Sequence, residues 1–180
     1  FAGWSSGLKD GWARRWSVGF VSDDNRFGTA LEPTLPAVIP ADRKLVYPYA
    51  GIEILEDRFE KTANHDQIDR SEDFYLGARF AASLGFASTG LDADRNAVVY
   101  SATASRGFGS LTDRALLVST SISGREESGA SANVLARVNA RYYWRQSEKR
   151  LFYTLLDASS GHALDIDNRI ELGGNSGLRG

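Results

Sequence analysis

The chain has 180 residues, with 21 Lys and Arg against 23 Asp and Glu and a net charge of −2. That balance offers no clustered basic face for nucleic acid, and the absence of cysteine excludes a disulfide framework and a thiolate metal site. No run of ~18 apolar residues is present, which excludes a transmembrane helix; a membrane barrel stays open, because its strands alternate lipid-facing and lumen-facing residues.

The chain begins at Phe1 and holds no Met, as expected of a piece of a longer protein, so a missing signal peptide carries no weight. Residues 1–8 give a short apolar start around Trp4. Next, Trp12, Trp16, Val18 and Phe20 alternate with Ala13, Arg15, Ser17 and Gly19, a period of two that predicts a strand. Arg14 falls on the apolar side, which suits a strand end where its side chain can reach water. Residues 23–43 contain Pro33, Pro36 and Pro40 and predict a long loop. A strand follows from Leu45 to about Phe59, with Ile52 and Ile54 on one face and Glu53, Leu55 and Asp57 on the other. Pro48 predicts a bulge near its start.

Residues 60–73 are strongly polar and predict a connection. Phe74, Leu76, Ala78, Phe80, Ala82, Leu84 and Phe86 then alternate with Tyr75, Gly77, Arg79, Ala81, Ser83 and Gly85. As one strand this run exceeds the ~9–11 residues that cross a bilayer at a tilt, and the ~5–6 usual in soluble sheets. Beyond a turn at 89–95, Val98, Tyr100, Ala102, Ala104 and Phe108 oppose Ser101, Thr103 and Ser105. Leu116, Val118, Thr120 and Ile122 likewise oppose Ser119, Ser121 and Ser123. From Ala132 to Trp144, Val134, Ala136, Val138, Ala140 and Tyr142 oppose Asn133, Arg137, Asn139, Arg141 and Arg145. Asn133, Arg137, Arg141 and Arg145 also fit a helical stripe, but Asn139 would then face the wrong way and Tyr142-Tyr143-Trp144 favours a strand. A further strand at 151–158, a polar turn with His162, Asp165 and Asp167, and a last strand near Ile170 complete the pattern. The expectation is all-β: eight or nine strands in an antiparallel up-and-down meander, without repeats or alternating helices.

A soluble sandwich or small barrel would also alternate, with its apolar face inward. Two features favour a membrane barrel. The polar face is rich in Ser, Thr, Gly, Ala and Arg rather than Lys and Glu. The aromatics Trp12, Tyr47, Tyr49, Tyr142, Trp144 and Phe152 lie toward strand ends, as in interfacial girdles.

The last residues, Leu172-Gly173-Gly174-Asn175-Ser176-Gly177-Leu178-Arg179-Gly180, form a Gly-rich loop carrying one guanidinium. This segment resembles the Leu-Arg-Gly-aromatic loop of the Omp85 and two-partner-secretion transporters, outer-membrane barrels that insert or export proteins; the motif's aromatic would follow Gly180. The resemblance implies a barrel of about sixteen strands, of which 1–180 would be a partial barrel domain, with periplasmic domains upstream. It also implies outer-membrane lipid and polypeptide cargo as partners, with no catalysis and no cofactor. Gly173, Gly174, Gly177, Leu178, Arg179 and Gly180 would form the functional loop, folded into the lumen. Its Arg179 needs a paired acid if buried, for which Glu53, Asp57 and Asp157 are lumen-side candidates. Arg79, Arg137, Asn139, Arg141 and Arg145 would line the lumen, as a basic wall or as ordinary ion-pair partners.

His65-Asp66 and His162 with Asp165 and Asp167 lack the spacing of a zinc site. Asp92-x-Asp94-x-Asn96 lacks the Gly and Glu of a calcium loop. Gly174-Asn175-Ser176-Gly177 is not a nucleophile elbow. The alternatives to the transporter are the membrane-anchor barrel of a surface or lipase-type enzyme and a soluble β-sandwich binding module.

Overall fold

The computed structural model describes residues 1–28, 39–63, 71–147, 150–168 and Ile170. Its ten strands are β1 (Ala2–Lys9), β2 (Trp12–Asn25), β3 (Arg43–Glu56), β4 (Phe59–Ala63), β5 (Ser71–Tyr75), β6 (Arg79–Ala87), β7 (Ala97–Gly109), β8 (Arg114–Glu127), β9 (Ala130–Ser147) and β10 (Arg150–His162). Eight form one antiparallel sheet in the order β1-β2-β3-β6-β7-β8-β9-β10, and β4 pairs with β5. The fold is therefore the all-β meander that the alternation predicts. Residues 132–144 lie in a strand of 18 residues rather than a helix.

Local chemistry sets the turns. Asp10-Gly11 and Ser128-Gly129 place both residues at positive φ, the two-residue geometry that matches the twist of a hairpin. They stand at opposite ends of the sheet, so the Asp10-Gly11 end is termed lower and the Ser128-Gly129 end upper. Pro48 makes no bulge. It pairs in register with Phe20, while the β3–β6 pairing runs from Tyr49 to Leu55, so its missing N–H falls just outside that ladder.

The run from Phe74 to Phe86 is not one strand. Leu76–Ala78 separate β5 from β6, and β6 has nine residues. The polar connection at 60–73 supplies strand residues to β4 and β5. Together β3–β4 and β5–β6 make one long hairpin with a kink. At the kink the Glu56 N–H donates to the Ala78 carbonyl (2.8 Å), and the Leu76 and Gly77 N–H groups donate to the Arg58 carbonyl (2.9 and 3.0 Å). Gly77 is required there, because a Cβ would run into the Glu56 carbonyl oxygen. Strand length as an argument passes to the other members: β2, β3 and β8 have 14 residues each, β7 and β10 have 13.

Register also fixes the slant of the strands. Trp16, four residues from the lower end of β2, shares a lateral row with Ile52, Ala82, Ala102, Ile122, Ala136 and Ser160. Ser160 is ten residues from the lower end of β10. The row slips six residues in six steps, about one per strand. With a rise of ~3.4 Å and a strand spacing of ~4.8 Å, the strands incline by about 35°.

Candidate functional site: a polar trough backed by an apolar face

Registered pairing sorts the side chains of all eight strands onto two faces. One carries Trp4, Trp16, Val18, Phe20, Ile52, Ile54, Phe80, Leu84, Phe86, Val98, Phe108, Leu116, Ile122, Val138, Tyr142, Trp144, Phe152 and Leu156. This face is open: Phe20, Leu84 and Leu156 are each 59% exposed. No second layer covers it among the described residues. Arg14, Arg106 and Arg114 interrupt it, all within three residues of the lower strand ends; Arg106 lies over the Phe108 ring at 5.4 Å and Arg114 over the Trp144 ring at 4.9 Å. Trp12, Tyr142, Trp144 and Phe152 sit near the lower margin of this face. Tyr47 and Tyr49, predicted as girdle residues, are on the opposite face. There Tyr49 covers Gly19 and Tyr47 covers Gly85, an aromatic shielding a glycine that has no side chain to pack.

The second face is polar. Its middle is a floor of small hydroxyl residues: Ser17, Ser83, Ser101, Thr103, Ser119, Ser121 and Ser123, with Ser83 and Ser101 joined at 2.8 Å. Glu53 accepts from Arg15 (2.9 Å) and from Arg79 (2.8 Å) across three adjacent strands. Asn139 donates to Asp157 (2.9 Å). Arg137 and Arg141 stand on this face without an ion pair among the described residues. The Arg145 backbone N–H donates to the Asp113 carbonyl at the lower end. Asp57 is not on the face: it lies past β3 in the kink, exposed, with its N–H donated to the Gly11 carbonyl (2.7 Å). The six loop residues Gly173, Gly174, Gly177, Leu178, Arg179 and Gly180, and the strand predicted near Ile170, lie outside the described residues, Ile170 itself excepted.

The sheet curls toward this polar face, and chain crosses it at both ends. At the lower end the kink folds the β4–β5 hairpin inward. Phe74 of β5 meets Tyr143 of β9 edge-to-face at 6.5 Å, although β7 and β8 lie between β9 and β6, the strand that follows β5 in the chain. Glu60 of β4 accepts from the Ser110 hydroxyl (2.5 Å) and the Leu111 N–H (3.1 Å). Leu76, Leu111, Ala115, Leu117 and Tyr143 bury one another beneath the hairpin. At the upper end the segment after β10 returns over the face. Asp165 accepts two bonds from Arg125 of β8 (2.6 and 2.7 Å) and one from Arg43 of β3 (2.7 Å). Two guanidiniums from strands with β6 and β7 between them share one carboxylate oxygen, as a sheet curled toward this face favours. A second small core of Leu45, Val46, Ala87, Ala93 and Ala97 anchors the 88–96 loop beside them.

Arginine bonding holds the Asp165 and Asp167 carboxyls below the ordinary range: from Arg125 first at Asp165, and from Arg43 at Asp167. In the 88–96 loop, Arg95 does the same for Asp94. Sequence reading passed over Arg43 and Arg125. Their strand parity was available, since Arg125 follows Ser119, Ser121 and Ser123 and Arg43 precedes Leu45, Tyr47 and Tyr49 at steps of two. Their meeting on Asp165 was not, because it spans separations of 122 and 40 residues.

Comparisons with protein-family models, with curated proteins and with solved structures return no match.

Proposed function

We propose that this chain is part of the transmembrane β-barrel of an Omp85-like protein in the outer membrane of a Gram-negative bacterium, which exports polypeptides across that membrane or inserts them into it. One observation carries the membrane half of this reading: an exposed apolar face that runs across eight strands, with its charged residues near strand ends, and whose opposite face is hydroxyl-rich and ionic. Soluble proteins rarely leave apolar patches beyond a few hundred Å² open to water, whereas a barrel in lipid turns this face outward. The slant supports it. An incline of about 35° is that of strands in membrane barrels, and at that tilt 13 or 14 residues exceed what an apolar band ~25 Å tall requires.

The transport half rests on the Leu178-Arg179-Gly180 resemblance and on the polar lining of the trough. The enzyme-anchor alternative would need a nucleophile beside a base. Among the described residues the histidine is His162, at the end of β10 and exposed.

The full gene product should fractionate with membranes and migrate on gels in a heat-modifiable way; recovery as a detergent-free soluble protein defeats the barrel. Arg179→Ala should lower export or insertion while barrel insertion persists. Unchanged activity in that variant removes the loop from the mechanism and leaves the barrel standing.

A further inference from the structure

We propose that residues 163–168 are an ion-latched strap that closes the upper mouth of the polar trough, with Asp165 as its pin. Among the described residues β10 is an edge strand of the sheet, and a chain leaving its upper end has no need to come back over the face. Here it does. Asp165 is bound by Arg125 from β8 and Arg43 from β3, and Asp167 by Arg43 through a second bond (3.1 Å). The Arg125 side chain is 7% exposed, and a buried guanidinium is costly unless paired and hydrogen-bonded. Asp165, with Glu127 of the same strand, meets that need. The strap therefore holds Arg125 as much as Arg125 holds the strap.

A backbone irregularity prepares the seat. The register between β8 and β9 shifts at Ser123/Arg125, and Asn133 opposite takes φ of 51°, a left-handed conformation that asparagine tolerates better than most residues. The bulge lifts Asn133 out of the ladder. Its N–H donates to the Ala163 carbonyl (2.8 Å), and its side-chain oxygen accepts from the Asp165 N–H (3.3 Å) and the Asn168 amide (2.8 Å). Three strands thus grip six residues.

That the strap closes a passage rests on the barrel reading; that it is latched does not. The test uses the full-length protein in lipid vesicles and planar bilayers. Hydrogen exchange is followed at the Asn133 and Asp165 amides, and ionic conductance is measured on the same preparations. Asp165→Asn removes one of the two carboxylates that hold the buried Arg125 and risks the fold, so Arg43→Gln runs beside it, leaving the Arg125–Asp165 pair intact. Asp92→Asn, which breaks the exposed Lys44 pair at the same end, is the control. Losing a charged bond should speed local opening by roughly 10- to 100-fold, and both latch variants should exchange faster by that order and conduct more than Asp92→Asn. Unchanged exchange in Arg43→Gln and in folded Asp165→Asn overturns the latch. Faster exchange with unchanged conductance overturns the closing role. Faster exchange in a protein that never enters lipid supports the latch and defeats the barrel instead.

Discussion

Ile122 and Ser123 are neighbours in β8 and therefore point to opposite faces, Ile122 to the apolar side and Ser123 to the hydroxyl floor. Ile122 is 42% exposed, so in water Ile122→Arg would forfeit only part of a side chain's packing and its charge would be solvated. Exposed substitutions of that kind usually stay near half a kcal/mol. With the apolar face against lipid, the same guanidinium enters hydrocarbon at mid-strand, where an outward Arg costs about 2–4 kcal/mol. Ser123→Arg is the internal control, with the same strand, depth and charge but an aqueous face. The quantity to measure is the difference between the two variants in unfolding free energy from lipid vesicles, by denaturant titration with tryptophan fluorescence as readout. About 2 kcal/mol or more against Ile122→Arg is expected, which is ~30-fold in the folding equilibrium. Equal costs, or a larger one for Ser123→Arg, would mean that the apolar side does not face lipid.

Gly77→Ala places a methyl against the Glu56 carbonyl at the kink, so it should cost about 1–3 kcal/mol as overpacking does. Faster exchange confined to the Leu76–Leu111 core would accompany it; a silent variant would show that the kink is not tight. Acid should free the upper strap. Asp165 is depressed chiefly by its Arg125 bonds, helped by Arg43 and opposed by burial and, less, by Asp167, so its contribution is complete above the unfolded value of ~3.9 and is lost as pH falls through the lower folded value. Exchange at Asp165 should therefore be flat from pH 7 to 5, once intrinsic rates are corrected for, and rise below about pH 4; a rise centred near pH 6 would point to another group.

The parts legible in the sequence were those that local physics decides alone. Alternation placed Ser101, Thr103 and Ser105 opposite Tyr100, Ala102 and Ala104, and the sheet keeps that parity. It failed where parity survives a break in the strand. Phe74 and Phe80 sit at even positions of one unbroken pattern, yet Phe74 packs inward on Tyr143 while Phe80 lies on the apolar face. The kink at Leu76–Ala78 reverses direction without leaving a proline or a polar run to mark it. Gly77 was the one visible clue, and a single glycine in a strand reads equally as packing. Residues 60–63 and 71–73 belong to two paired strands over a polar face, and their polar composition alone reads as a connection. The Arg43–Asp165–Arg125 cluster had no local signal of any kind: it follows from the curl of the whole sheet. Alternation also gave no warning about Asp57, which keeps the parity of Glu53 but falls one residue beyond the end of β3.

On the barrel reading, curl and contents together bear on how wide the barrel is. Among the described residues β1 and β10 are the two edges and do not pair with each other. In lipid, unpaired edges are not tolerated, so either these two strands meet in the membrane or further strands stand between them. The interior of an eight-stranded barrel is just wide enough for its own side chains. This trough holds its own side chains and, besides, the β4–β5 hairpin at one end and residues 163–168 at the other. Both insertions need room that eight strands lack, so the barrel reading expects additional strands between β1 and β10. Cysteine pairs scanned between Ala2, Trp4 or Leu8 and Leu156, Ala158 or Ser160 in the membrane-inserted full-length protein should then fail to cross-link. The β9–β10 pair Val138 with Ala158, changed to cysteine in the same way, should cross-link readily, because opposed residues of adjacent strands bring their Cβ atoms within ~5.5 Å. Efficient linkage at any β1–β10 position would close the barrel at eight strands and refute the wider lumen.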